Sequence, residues 1–98
     1  MFSNCSAFNQ PLNSWGPAMV KASTCYGMFR NCVLFNRPLD TWTFGINMTA
    51  MTDMFVGTTV FDQDLTGWCV TNIKSEPFDF AKDSALQTSN YPVWGTCP

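Results

Sequence analysis

The sequence predicts an α/β solenoid: three coils of 26–27 residues, each with a short parallel strand and a short helix, followed by a C-terminal cap. Two observations carry that expectation. The phrase FNQPLNSW at residues 8–15 returns as FNRPLDTW at 35–42 and as FDQDLTGW at 61–68. Its flanks repeat too, with Met1-Phe2, Met28-Phe29 and Met54-Phe55 upstream and Val20, Ile46 and Ile73 downstream of the tryptophans. A period in the twenties that fixes Met, Phe and Trp at matched offsets marks a stacked array. In such an array each unit buries its apolar face only against its neighbours.

The strands come from the pattern after the phrase. Leu12-x-x-Trp15, Leu39-x-x-Trp42-x-Phe44 and Leu65-x-x-Trp68-x-Val70 follow the L-x-x-L-x-L logic of a leucine-rich repeat, with Trp at the second site. This places strands around residues 14–17, 41–45 and 67–71, paired in parallel about 4.8 Å apart. Pro17 lacks an N–H for a ladder and suits an edge strand in the first coil.

Helices are expected over 24–30, 49–56 and 75–82. Thr49 is an N-cap type, and Met51, Met54 and Phe55 share one face at offsets of three and four. Ser75-Glu76-Pro77 supplies a capping serine, an acid and a first-turn proline. The repeat core is then Phe8, Leu12, Trp15, Phe29, Phe35, Leu39, Trp42, Phe55, Phe61, Leu65 and Trp68. Asn9, Asn36 and Asp62 follow the phrase's phenylalanines, where such side chains bond an amide two residues on and fix a turn. One domain results, with repeats at 1–27, 28–53 and 54–78 and a cap at 79–98, in which Phe80 and Leu86 echo the pattern.

Composition narrows the function. Charged residues make up 12% of the 98, about half the usual quarter, whereas nine Phe and four Trp are a heavy aromatic load. Charge is uneven: up to residue 49 stand Lys21, Arg30 and Arg37 against Asp40, and beyond it six acids face Lys74 and Lys82. No basic cluster tracks a phosphate backbone, so nucleic acid is not an expected partner. No apolar run is long enough for a transmembrane helix, and residues 1–4 begin inside a motif, not in a signal peptide.

The chemistry of sites is sparse. With no histidine and no C-x-x-C, neither a zinc site nor any cofactor is expected. No nucleophile–base pair stands out, so the chain is not expected to be an enzyme. Asp62 and Asp64 are the nearest carboxylate pair for a carbohydrate-active alternative. They also open a faint calcium-loop pattern, but Ile73 occupies the twelfth position where a bidentate glutamate belongs. Asn4-Cys5-Ser6 and Asn47-Met48-Thr49 are formal N-glycosylation triplets.

The order Met-Phe, Phe-Asn-Gln-x-Leu-x-x-Trp and a β-branched residue resembles the BspA-like leucine-rich-repeat surface proteins, including the mycoplasma-type repeats of unknown function. Three copies cover residues 1–74. The tail, with Trp68-Cys69-Val70-Thr71-Asn72-Ile73, Ser75-Glu76-Pro77 and the ending Pro92-Val93-Trp94-Gly95-Thr96-Cys97-Pro98, is similar to that family's terminal segment. Repeat one departs from it with Gly16-Pro17-Ala18-Met19-Val20, and repeat two is one residue shorter at Thr43-Phe44-Gly45-Ile46. The resemblance implies a non-enzymatic cell-surface or secreted module for adhesion, binding a protein or glycan; a purely structural end of a longer exported chain is the alternative. Without an N-terminal cap, Phe2, Phe8, Leu12 and Trp15 would sit on an open solenoid end, so an array continuing before residue 1, or an end covered by a partner, is expected.

Five cysteines remain. Cys69 follows the third Trp and Cys97 lies at the end, so a Cys69–Cys97 disulfide pinning the cap is expected if the chain is exported; two buried free thiols are the alternative. Cys5 and Cys32 occupy one slot in consecutive repeats and are the second candidate pair, provided the coil spacing stays within about 7 Å. Cys25 corresponds to Met51 and Phe78 and is expected to be a small buried hydrophobe.

Overall fold

The structure, a computed structural model, describes residues 2–45 and 47–97. Met1 and Ile46 of the repeat pattern and the terminal Pro98 lie outside them. The α/β solenoid of parallel strands and short helices does not form. Regular structure among the described residues is limited to the 3₁₀ helices Asn13–Lys21 and Thr88–Asn90 and one isolated parallel bridge, Thr24 to Ala50. The whole is small, 31 × 25 × 19 Å along its principal axes.

The predicted helices over 24–30, 49–56 and 75–82 are replaced by overlapping turns. Met28, Arg30, Cys32 and Phe35 each donate three residues back, at 3.0–3.1 Å, to the carbonyls of Cys25, Gly27, Phe29 and Cys32. The intervening amides of Cys25, Gly27, Phe29 and Asn31 donate instead to the next repeat, to Ala50, Thr52, Met54 and Val56 at 2.7–2.9 Å. Alternate amides thus close a turn or bind a neighbour, and the polar backbone is satisfied without helix or sheet.

Left-handed residues explain why a helix cannot propagate. Gly27, Asp53 and Asp79 have φ of 58°, 58° and 51°, and Asn4, Asn31, Gly57 and Asp83 have φ of 63°, 61°, 74° and 58°. They recur at matched repeat positions, and all are Gly, Asn or Asp, the types that tolerate this conformation. Met51, Met54 and Phe55 do point inward as a helical face would, but turns bring them there.

The strand reading fails for a different reason. Trp15, Trp42 and Trp68 donate their amides to the carbonyls of Leu12, Leu39 and Leu65 at 2.9–3.1 Å, so each Leu-x-x-Trp is a turn. Residues 14–17, read as an edge strand, lie inside the first 3₁₀ helix, and Pro17 with them. Gly16 in that helix is required by packing, because a Cβ there would collide with the Thr41 carbonyl of the next repeat.

Rings stack along the repeat direction. Phe2, Phe29 and Phe55 follow one another at 5.7 and 5.4 Å, and Phe8, Phe35 and Phe61 at 5.5 Å each, all with nearly parallel planes. Trp42 and Trp68 stack at 6.5 Å. Of the predicted core, Leu12, Phe29, Phe35, Leu39, Trp42, Phe55, Phe61, Leu65 and Trp68 are buried, while Phe8 and Trp15, in the first repeat, are half-buried. The tail closes the other end, where Tyr91 and Trp94 set their rings edge-on to Phe80 at 5.6 and 4.9 Å.

Candidate functional site

The repeat register decides which side chains face outward. Gly27 donates to the Thr52 carbonyl at 2.9 Å and Asp53 to the Phe78 carbonyl at 3.2 Å, so Tyr26, Thr52 and Phe78 occupy one position in successive repeats. Phe78 therefore does not share the slot of Cys25 and Met51: those two are buried, whereas the Phe78 ring is 75% exposed. Tyr26 in the same row is 60% exposed. Matching Phe78 to Cys25 and Met51 set it one residue out of register, because the uniform 26-residue spacing puts Pro77 in that slot.

Phe78 stands at a groove of about 310 Å³ between Thr49–Thr52 and residues 72–78, with Lys74, Ser75 and Glu76 on its wall. The bend at Ser75 opens it, after the turn that Ile73 closes on the Val70 carbonyl at 2.9 Å. A second, apolar groove of about 190 Å³ adjoins it through Asn72 and Ile73, lined by Phe44, Met48 and Val70 beside Cys69. The first offers hydroxyls, an ammonium and a carboxylate around a bare aromatic ring; the second offers aliphatic surface.

Of the two cysteine pairs expected, one is bonded. Cys69 and Cys97 form a disulfide, and Val70 donates to the Thr96 carbonyl at 2.8 Å, so the tail is held against the third repeat by both bonds. Cys5 is an exposed thiol and Cys32 a buried one, both free. Cys25 is a buried thiol that burial pushes up to about 12.

Asn9, Asn36 and Asp62 do not fix their own turns. Asn9 Oδ1 accepts the Asn36 amide at 3.0 Å, Asn36 Oδ1 accepts the Asp62 amide at 3.1 Å, and Asp62 Oδ1 accepts the Gln87 amide at 3.1 Å. They form a ladder from repeat to repeat; two residues beyond Asn9 and Asn36 stand Pro11 and Pro38, which offer no N–H for a local turn. Asp62 also accepts from Asn90 Nδ2 at 3.0 Å. Asp64 accepts from the Thr66 hydroxyl at 2.6 Å and amide at 2.9 Å, which hold its carboxyl below the usual range. Neither carboxylate lines either groove. No group of three or more metal-ligating side chains gathers among the described residues, and no helix there is long and apolar enough to cross a membrane.

These features define a protein of tandem 26–27-residue turn repeats, stacked in register and closed by a disulfide-held tail. Over residues 1–94 the chain matches the Mycoplasma proteins of unknown function, DUF285, and it belongs to that family. The match reaches the mycoplasma-type repeats named above and not the BspA-like leucine-rich repeats as such. No curated protein and no solved structure matches the chain.

Proposed function

We propose that the chain is a non-enzymatic module that binds a protein or glycan at a cell surface, in the manner of the BspA-like adhesion proteins. The observation that carries this reading is the Phe78 ring, 75% exposed at the edge of a groove walled by Thr49, Thr52, Lys74, Ser75 and Glu76. Covering an aromatic ring gains about 25 cal/mol per Å² of apolar area, and a few polar groups around it orient what covers it. A sugar ring or a peptide side chain has that combination of a flat apolar face and hydrogen-bonding edges. An extracellular location agrees with the Cys69–Cys97 bridge, since disulfides persist in oxidising compartments.

The test is a glycan array and a host-cell binding assay with the intact chain and with Phe78→Ala. Binding weakened at least tenfold by Phe78→Ala, at unchanged melting temperature, supports the module. No binding by the intact chain in either assay sinks it and leaves a purely structural role.

A further inference from the structure

We infer that Cys5 and Cys32 are a thiol–disulfide exchange pair, which closes into a second cross-link between the first two repeats when a small disulfide oxidant is supplied. The two residues hold the same repeat position, continued by Thr58 and Ser84 in the later layers. At that position side chains of adjacent layers meet: Thr58 Oγ1 and Ser84 Oγ lie 2.7 Å apart. The layers that carry the cysteines are as close. Asn4 donates to the Arg30 carbonyl at 2.7 Å, Asn31 Nδ2 to Asn4 Oδ1 at 2.9 Å, and Phe2 stacks on Phe29 at 5.7 Å. A disulfide needs Cα atoms about 4.4–6.8 Å apart, and the two layers are drawn together at this position by backbone hydrogen bonds and a ring stack.

The Cys32 thiol and the Cys5 backbone amide meet on one atom. The Phe2 carbonyl accepts the Cys5 amide at 3.0 Å and the Cys32 thiol at 2.8 Å. Burial pushes the Cys32 thiol up, the Cys5 backbone N–H draws it partly back, and the neighbouring Cys5 thiol raises it again. The third free cysteine, Cys25, is buried and takes no part.

The exposures assign an order. Cys5, exposed, meets the oxidant first: its thiolate attacks one sulfur of a small disulfide such as oxidised glutathione, forming a mixed disulfide and releasing one glutathione thiolate. Cys32, as thiolate, then attacks the Cys5 sulfur, breaking the mixed bond and releasing the second glutathione. The two protons lost by the cysteines end on the two glutathione thiols, and the two electrons reduce the oxidant.

The experiment treats the intact chain with oxidised glutathione at pH 8, alkylates with N-ethylmaleimide, and maps peptides without reduction. The expected result is a Cys5–Cys32 linked peptide beside Cys69–Cys97, with Cys25 alkylated only after denaturation. Cys32→Ser is expected to stop at a stable Cys5–glutathione adduct, and Cys5→Ser to take up no glutathione. A persistent Cys5 adduct in the unsubstituted chain, or a Cys5–Cys5 link between two chains, would overturn the pairing.

Discussion

Trp42 donates its indole N–H, 2.8 Å away and buried, to the carbonyl oxygen of Leu12 in the preceding repeat. The same oxygen accepts the amide of Trp15 at 2.9 Å, so one carbonyl both closes a turn and anchors the next layer. Trp68 repeats the arrangement on Leu39 at 2.9 Å. The phrase recurs because each copy supplies the acceptor for the one that follows.

Removing that bond while keeping an aromatic ring isolates its contribution. Trp42→Phe is expected to destabilise the chain by about 2–4 kcal/mol, combining a lost buried hydrogen bond with a small cavity. Urea unfolding of the two proteins measures it, and a difference under half a kcal/mol would contradict the role given to the indole.

The phenylalanine ladders predict a gradient of cost. Phe35→Ala, inside the ladder and fully buried, is expected to lose about 3–5 kcal/mol. Phe8→Ala, half-buried in the first repeat, is expected to lose clearly less. Equal losses from the two variants would mean that the layers do not share the load as the ring spacings indicate.

Gly57 and Gly67 make a matched pair of tests. Gly57 has φ of 74°, and a Cβ there would strike the Asn31 side chain, whereas a Cβ at Gly67 meets nothing. Gly57→Ala is expected to cost about 1–3 kcal/mol through left-handed strain. Gly67→Ala should stay within roughly half a kcal/mol. Thermal melts of both variants decide the matter.

Reducing Cys69–Cys97 frees the tail that covers Phe80. Because the bridge spans 28 residues, the loss is expected to be about 3–4 kcal/mol in the chain-entropy account. Melting with and without a phosphine reductant checks it, and the fluorescence of Trp94 reports whether the tail itself detaches.

Alkaline pH should weaken the fold through its buried thiol. Burial raises Cys25 from 9.0 to about 12, so the folded state keeps the proton that the unfolded chain releases. Stability is therefore full below pH 9 and falls as pH rises from 9 toward 12. Cys32 and Tyr91, both also raised by burial, add to the same trend. In Cys25→Ala the fall between those limits is expected to be shallower, as read from unfolding curves at pH 8 and 10.5.

The sequence makes the repeat register legible, because Phe, Trp and Met at matched offsets have to stack, and the inward set from Leu12 to Trp68 follows from it. The backbone between them is not legible in the same way. Leu-x-x-Trp fits a strand or a three-residue turn equally well, and only the double use of the Leu carbonyl selects the turn. Met51, Met54 and Phe55 sit at helical spacing, yet Asp53 in their midst adopts a left-handed conformation that no helix accommodates. A visible signal was present: Gly27, Asp53 and Asp79, with Asn4, Asn31, Gly57 and Asp83, put turn-forming types at fixed repeat positions. The groove beside Phe78 was hidden because matching Phe78 to Cys25 and Met51 placed it in a buried row, one residue from its true register.

The alternating amides have an electrical consequence. Those of Phe2, Asn4, Cys25, Gly27, Phe29, Asn31, Asp53, Phe55 and Gly57 all point from one repeat toward the next, while Thr49 and Ala85 point back. Their peptide dipoles add, leaving a positive pole under the last repeat and a negative one over the first, the reverse of an α-helix relative to chain direction. The ionic side chains lean the same way: up to residue 49 stand Lys21, Arg30 and Arg37 against Asp40, and beyond it six acids face Lys74 and Lys82. What reads in the sequence as a lopsided charge is thus the complement of an axis of polarity built into the backbone.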